Sequence, residues 1–183
     1  IDPMYTWEAS RSDLWLQIRP GTDPALAIGF LKVVVEEGLY DKEWVEKWTT
    51  APFLIKRQEK KLLREADFIQ GGSRDKFVVW DQASNQPVIY NPDKLDYEVE
   101  RVKPMMSGSR VLKLADGSEV ECYTAWDALV SRLQEYSLDK IEEITWVSKE
   151  KIRKAAVLYA THRPSAILTG VPLDMTPAAV PGY

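Results

Sequence analysis

The stretch Ile18-Arg19-Pro20-Gly21-Thr22-Asp23-Pro24-Ala25-Leu26-Ala27 holds the residue types in this chain best suited to chemistry. A carboxylate, Asp23, stands just after a Pro-Gly turn and just before an apolar helical pattern. Glycine in such a turn lets backbone N–H groups come close to a ligand. Asp23 fits the N-cap of the helix, where its oxygens accept from first-turn amides. Pro24 fits the first helical position, where a missing N–H costs nothing, and it biases Asp23 towards extended backbone. Strand, glycine turn and helix-capping acid together are the layout with which α/β proteins meet nucleotides at the carboxyl end of a sheet. The same turn and cap also suit a βα connection that binds nothing, and the residues alone leave both readings open.

The elements that must position this stretch can be read around it. Asp13–Ile18 alternates into a short buried strand, and Ala25–Glu37 reads as a helix, apolar nearly all round and so buried on several sides, with Gly38 as its C′ residue. Ile1-Asp2-Pro3 ends another strand, with Asp2 at its carboxyl edge, and Thr6 caps one helical turn. Asp41 caps a helix whose Trp44, Val45 and Trp48 form a core-facing stripe. The basic run Lys56–Lys61 fits a charged helix face or a hairpin tip. Phe77–Trp80 with Pro87–Tyr90, and Arg110–Leu114 with Glu119–Tyr123 around Asp116-Gly117, read as hairpins. Helices return behind the caps Thr124, Ser137 and Ser148. Then Ala166–Thr169 reads as a buried strand running into Gly170, where a backbone can approach a ligand. These readings give an α/β fold with a small β-hairpin insertion, divided as 1–69, 70–123 (the insertion) and 124–183.

Composition narrows the chemistry. The 183 residues are 45% hydrophobic and 28% charged, enough for a sizeable core, and the net charge of −4 argues against a nucleic-acid partner. No apolar run approaches the roughly 18 residues of a membrane span. A single cysteine, Cys122, excludes an internal disulfide or a cysteine-ligated cluster within these residues, and a single histidine, His162, removes most triad and zinc chemistry. The chain opens without methionine and closes without a helix cap, which reads as a piece of a longer polypeptide. An incomplete sheet in such a piece would leave an open edge and favour self-association.

In order along the chain, Ile1-Asp2-Pro3, Asp13-Leu14-Trp15-Leu16, Arg19-Pro20-Gly21-Thr22-Asp23 with Ala25-Leu26-Ala27, and Glu36–Asp41 resemble the molybdopterin oxidoreductases of the dimethyl sulfoxide reductase type. Glu135–Leu138, Glu143-Ile144-Thr145 and Ile152–Ala156 with Tyr159-Ala160 resemble later helices of that family, so the likeness runs from Ile1 to about Leu173. The resemblance implies a partial Rossmann-like three-layer domain that holds the guanosine half of molybdopterin guanine dinucleotide, two of which chelate molybdenum or tungsten. It implies cofactor-binding roles for Asp2 (ribose), Pro3, Arg19, Gly21 and Thr22 (backbone approach), Asp23 (guanine) and Gly170. It assigns this segment no catalytic residue and no metal ligand, and it places the metal ligand and any iron–sulfur cluster upstream of Ile1. The implied partners are the rest of the parent polypeptide and an electron-transfer subunit, and the implied setting is a bacterial or archaeal cytoplasm or periplasm. Two departures stand out. Met4 occupies a position where many members have arginine, and Trp146 one where a helix usually ends in glycine, so the helix end is expected to differ there. The rival reading is a non-enzymatic α/β scaffold or interaction domain with a plain βα loop.

Overall fold

A computed structural model describes residues 1–168. In chain order they form α1 (Trp7–Arg11), α2 (Asp23–Glu36), α3 (Lys42–Trp48), β1 (Leu54–Lys56), β2 (Lys61–Leu62), α4 (Glu65–Phe68) and β3 (Phe77–Asp81). There follow β4 (Gln86–Asn91), β5 (Asp96–Tyr97), β6 (Ser109–Lys113), β7 (Glu119–Thr124), α5 (Ala125–Gln134), α6 (Leu138–Thr145) and α7 (Lys149–Thr161). Five helix starts are set by side chains, as their residue types require: the oxygens of Thr6, Asp41, Thr124, Ser137 and Ser148 each accept from an amide three residues on. By their contacts the elements group into two units, Ile1–Tyr40 with the described part of Arg132–Tyr183, and Asp41–Ser131.

The first unit is helical around one apolar centre. Leu16, Ile18, Leu26, Ile141, Val147 and Ile152 bury together. On α2 the buried positions are Leu26, Gly29, Lys32 and Val33, the spacing of a single helix face. Burial on several sides does not occur here: Leu31 is 41% exposed, because α6 and α7 pack against one side only. Gly29 is the point of closest approach, since a Cβ there would stand 3.2 Å from both Ile141 Cγ2 and Ile152 Cγ2. Lys32 is buried along its stem, and its ammonium donates to Glu36 at 2.6 Å and to the Leu133 carbonyl at 3.3 Å.

The strands expected in this unit are absent among the described residues. Residues 13–18 run extended with Leu16 and Ile18 buried, but the Asp2 N–H to Leu16 carbonyl bond (3.1 Å) does not grow into a ladder. Residues 165–168 carry no strand either, and Ile167 and Leu168 are 65% and 97% exposed. A strand exists through its neighbours' N–H and C=O groups, and neither segment has a neighbouring strand to supply them. Gly170 lies outside the described residues. Among the described residues the expected Rossmann-like three-layer arrangement is therefore not seen; they are mixed α/β with two small antiparallel sheets.

Both sheets belong to the second unit, one of four strands ordered β2-β1-β7-β6 and one of three ordered β3-β4-β5. The Lys56–Lys61 run forms the tip of the β1–β2 hairpin. Lys56 is buried there between Glu59 (3.0 Å) and Asp67 (3.4 Å), and Arg57 pairs with Glu121 at 2.9 Å. The β6–β7 hairpin turns at Gly117 (φ +84°), as the Asp-Gly dipeptide requires. Leu54, Leu63, Val78, Met105, Leu112 and Cys122 make its core. The expected core stripe of α3 faces outward instead: no residue of that helix is buried, and Trp44 and Trp48 are more than half exposed. At the end of β3 the buried Asp81 carboxylate accepts from Ser84 Oγ (2.6 Å) and from the amides of Ser84 (2.8 Å), Ala83 (3.1 Å) and Lys103 (2.8 Å). Those donors hold its carboxyl well below the usual carboxylate range.

Two expectations follow. Ile152→Ala opens a void at the tightest point of the first unit and should cost about 2–5 kcal/mol in urea or thermal unfolding. Asp81 binds its proton more weakly folded than unfolded. Its stabilisation is therefore complete above the unfolded-chain value near ~3.9 and is lost as pH falls towards the folded value. Asp81→Asn should lower the melting temperature at neutral pH, with a deficit that shrinks progressively below about pH 4.

Candidate functional site

The turn between residues 18 and 23 is closed by its own backbone. Arg19 N–H donates to the Thr145 carbonyl at 2.8 Å, and Thr22 donates to the Arg19 carbonyl through both N–H (3.3 Å) and hydroxyl (2.7 Å). Gly21 takes φ +78° with open space where a Cβ would be, so its backbone face is accessible. The helix begins one residue earlier than the sequence suggests. Thr22 is the N-cap, its carbonyl accepting from Ala25 (3.0 Å) and Leu26 (3.2 Å), so Asp23 is the first helical residue and Pro24 the second. Proline is tolerated there too, because the amides of the first turn lack intrahelical partners. With the Thr22 hydroxyl turned back to Arg19, α2 has no side-chain cap, and among the described residues no hydrogen bond is made to the half-buried Asp23 carboxylate.

The N-terminal residues lie along the extended run. Asp2 donates its N–H to Leu16 (3.1 Å), and its carbonyl accepts from Trp15 Nε1 at 2.9 Å. Asp2 Oδ1 accepts from Met4 N–H at 2.8 Å, leaving the second oxygen without a donor among the described residues, and the Pro3 carbonyl accepts from Gln17 Nε2 at 3.3 Å.

A cleft of about 470 Å³ opens beside these segments, lined by Pro3, Gln17, Pro20, Trp146, Ser148 and Lys151 among others. Trp146 is its most exposed aromatic wall, 69% accessible. The Arg19 guanidinium carbon lies 5.1 Å from its ring centroid, within cation–π range. The expectation that a bulky residue would alter this helix end does not hold. Trp146 takes the left-handed conformation itself (φ +64°, ψ +9°) while its N–H bonds the Glu142 carbonyl at 2.8 Å. That conformation costs a non-glycine residue about 1–2 kcal/mol. The neighbours over-determine it: Thr145 Oγ1 donates to the Ile141 carbonyl (2.7 Å) and accepts from Val147 N–H (3.3 Å), Val147 is buried, and Ser148 caps α7 directly afterwards.

Of the residues singled out from sequence, Pro3 lines the cleft and Arg19 borders it through Trp146, with Asp2 next in chain. Gly21, Thr22 and Asp23 do not line it, and Gly170 is outside the described residues. Sequence reasoning missed Lys151 and the role of Trp146. The signal for Trp146 was available, as an aromatic residue where a glycine is usual; Lys151 reads as an ordinary helix-surface lysine. A larger groove of about 700 Å³, lined by Val34, Leu39, Tyr159 and Pro164 among others, contains none of the singled-out residues. Cys122 is buried and its thiol is pushed up to about 11 by desolvation, so it stays protonated and a poor ligand at neutral pH.

No family model matches the chain. It is 30% identical to the perchlorate reductase subunit alpha of Dechloromonas aromatica over 93% of its own length and 21% of that protein. It is 27% identical to the acetylene hydratase of Syntrophotalea acetylenica over 96% of its length and 14% of that protein. Among solved structures it matches acetylene hydratase from Pelobacter acetylenicus with a TM-score of 0.55 and 27% identity, over 99% of this chain and 15% of that one. The chain thus spans about a fifth or less of the proteins it matches.

The left-handed turn generates a direct test. Trp146→Gly should be more stable than Trp146→Ala by about 1 kcal/mol in chemical unfolding, since only glycine adopts that backbone without steric cost.

Proposed function

We propose that this chain, which is homologous to one segment of the catalytic subunits of dimethyl sulfoxide reductase-type molybdopterin enzymes, holds the guanosine part of molybdopterin guanine dinucleotide. The enzymes of that family carry molybdenum or tungsten on two such dinucleotides. When bound, the metal supplies redox or oxygen-atom chemistry; the residues of this chain bind and orient the nucleotide end. The rest of the parent polypeptide is the partner that completes the site. In that setting residues 13–18 gain sheet neighbours and the domain acquires its Rossmann-like character.

The observation that carries this reading is the uncommitted Asp23 carboxylate at the start of α2. Capping its own helix and pairing a base would compete for the same two oxygens. Here the first task is not performed, so both oxygens can face a ligand. Guanine offers N1–H and an exocyclic amine side by side, a two-bond match to a carboxylate; adenine presents a bare acceptor at N1. Hydrogen bonds to a charged acceptor contribute roughly 1.5–3 kcal/mol each, enough to choose the base. The second oxygen of Asp2 accepts from ribose hydroxyls, as acids do in dinucleotide folds. Gly21 and Thr22 supply the close backbone approach, and Arg19 and Pro3 flank it.

Titration with guanosine diphosphate and with adenosine diphosphate, followed by tryptophan emission, tests this. Trp15 and Trp146 stand next to the binding residues and should report occupancy. The expected result is a preference for the guanine nucleotide that Asp23→Asn abolishes. Equal affinity for the two bases in the unmodified chain would sink the proposal.

A further inference from the structure

The sheets of the second unit protect their outer strands unequally. β2 and β5 end their sheets but are two residues long, and β2 carries the exposed Lys61. Short strands and lysines are how proteins blunt an edge. The outer side of β3 is covered, with Val78 N–H donating to the Leu63 carbonyl (3.2 Å) and Met105 N–H to the Trp80 carbonyl (2.8 Å). β6 is different. It runs for five residues without proline or bulge, and Val111 at its centre is 61% exposed.

Two bonds show which way its backbone groups point. Arg57 N–H donates to the Glu121 carbonyl (2.9 Å), so Glu121 and its alternate neighbours on β7 turn towards β1. Leu114 N–H donates to the Ser118 carbonyl (2.8 Å), so Arg110 and Leu112 turn towards β7. The N–H and C=O groups of Ser109, Val111 and Lys113 therefore face away from the sheet. Among the described residues the Ser109 carbonyl accepts from Arg110 Nη1 (2.7 Å) and keeps a second lone pair, and the Val111 N–H and C=O have no partner. Beyond Lys113 the edge closes, where Ala115 N–H donates to the Asp67 carbonyl (3.0 Å).

This edge is complementary to itself. Paired antiparallel about Val111, two β6 strands exchange the Val111 N–H and C=O across a two-fold axis, and each Ser109 meets Lys113 of the second copy in the same way. That register sets the two exposed valines side by side. It also sends the two Lys113 side chains to opposite ends, about 14 Å apart along the strands, whereas a parallel pairing would put lysine beside lysine and Arg110 beside Arg110. With β2 short and lysine-bearing at the far side of the sheet, the contact closes at two copies and does not grow into a fibre. We infer that β6 is a self-pairing edge, through which two copies of this chain join their four-stranded sheets antiparallel about Val111. The inference concerns the second unit alone and stands apart from the nucleotide reading above.

Sedimentation equilibrium of the full chain, from dilute solution to about 1 mM, tests it. So small a contact predicts a weak dimer, with a dissociation constant on the order of 100 µM. Val111→Lys sets like charges face to face at the axis and should weaken association at least about tenfold at low salt; Val111→Thr, which keeps a β-branched side chain, should not. Val111→Pro removes an N–H that the folded monomer does not use, so it should abolish association and leave the circular dichroism spectrum unaltered. In hydrogen exchange the Val111 amide should slow about fivefold between dilute protein and ~1 mM, by mass action, while the Leu112 amide, bonded to β7, is protected at both concentrations. A monomer throughout this range overturns the inference. So does a dimer that Val111→Lys leaves intact, and so does a Val111 amide whose exchange is independent of concentration.

Discussion

The close approach of α2 to α6 and α7 at Gly29 is the constraint on which the first unit rests. With no side chain at that position, the Cγ2 methyls of Ile141 and Ile152 reach the helix backbone, and Leu26 buries in the same cluster. This packing fixes where α6 must end and α7 must begin. The Arg19 amide reads the last carbonyl of α6, so the turn before α2 is tied to the same junction. Two loops distant in sequence are therefore held in register by one apolar contact, and the cleft lies where they meet.

Polar groups around that junction divide into those committed to the fold and those left for a ligand. Thr145, Ser148 and the Thr22 hydroxyl are consumed in local bonds that close turns. Among the described residues the Asp23 carboxylate, one oxygen of Asp2 and the Lys151 ammonium are not. The second unit shows the opposite economy. Asp81 satisfies four donors, and Lys56 and Arg57 are paired in place, so these charges hold its hairpins together.

Much of the local structure was legible in the residues. Thr6, Asp41, Thr124, Ser137 and Ser148 all cap where their side chains predict, and Asp116-Gly117 turns its hairpin, because these preferences act over three or four residues and need no distant partner. Errors arose where the outcome depends on what lies opposite. The apolar runs 13–18 and 166–168 read as strands, yet a strand is a relation between two segments, and pattern alone cannot supply the second. The stripe of Trp44 and Trp48 has core composition and an exposed position for the same reason.

By itself, then, the sequence determined five helix caps, the Asp-Gly hairpin turn, the glycine turn with its acid, and the likeness to a family of pterin enzymes, since each is written in short-range chemistry or ordered residue identity. Only the tertiary structure decided that Thr22 and not Asp23 begins α2, that both sheets are antiparallel, and that Trp146 accepts a left-handed backbone to stand under Arg19. The last of these joins segments more than a hundred residues apart, the four-stranded sheet pairs β1 with the distant β7, and the helix start turns on which acceptor the Thr22 hydroxyl takes, so residue type alone settles none of them.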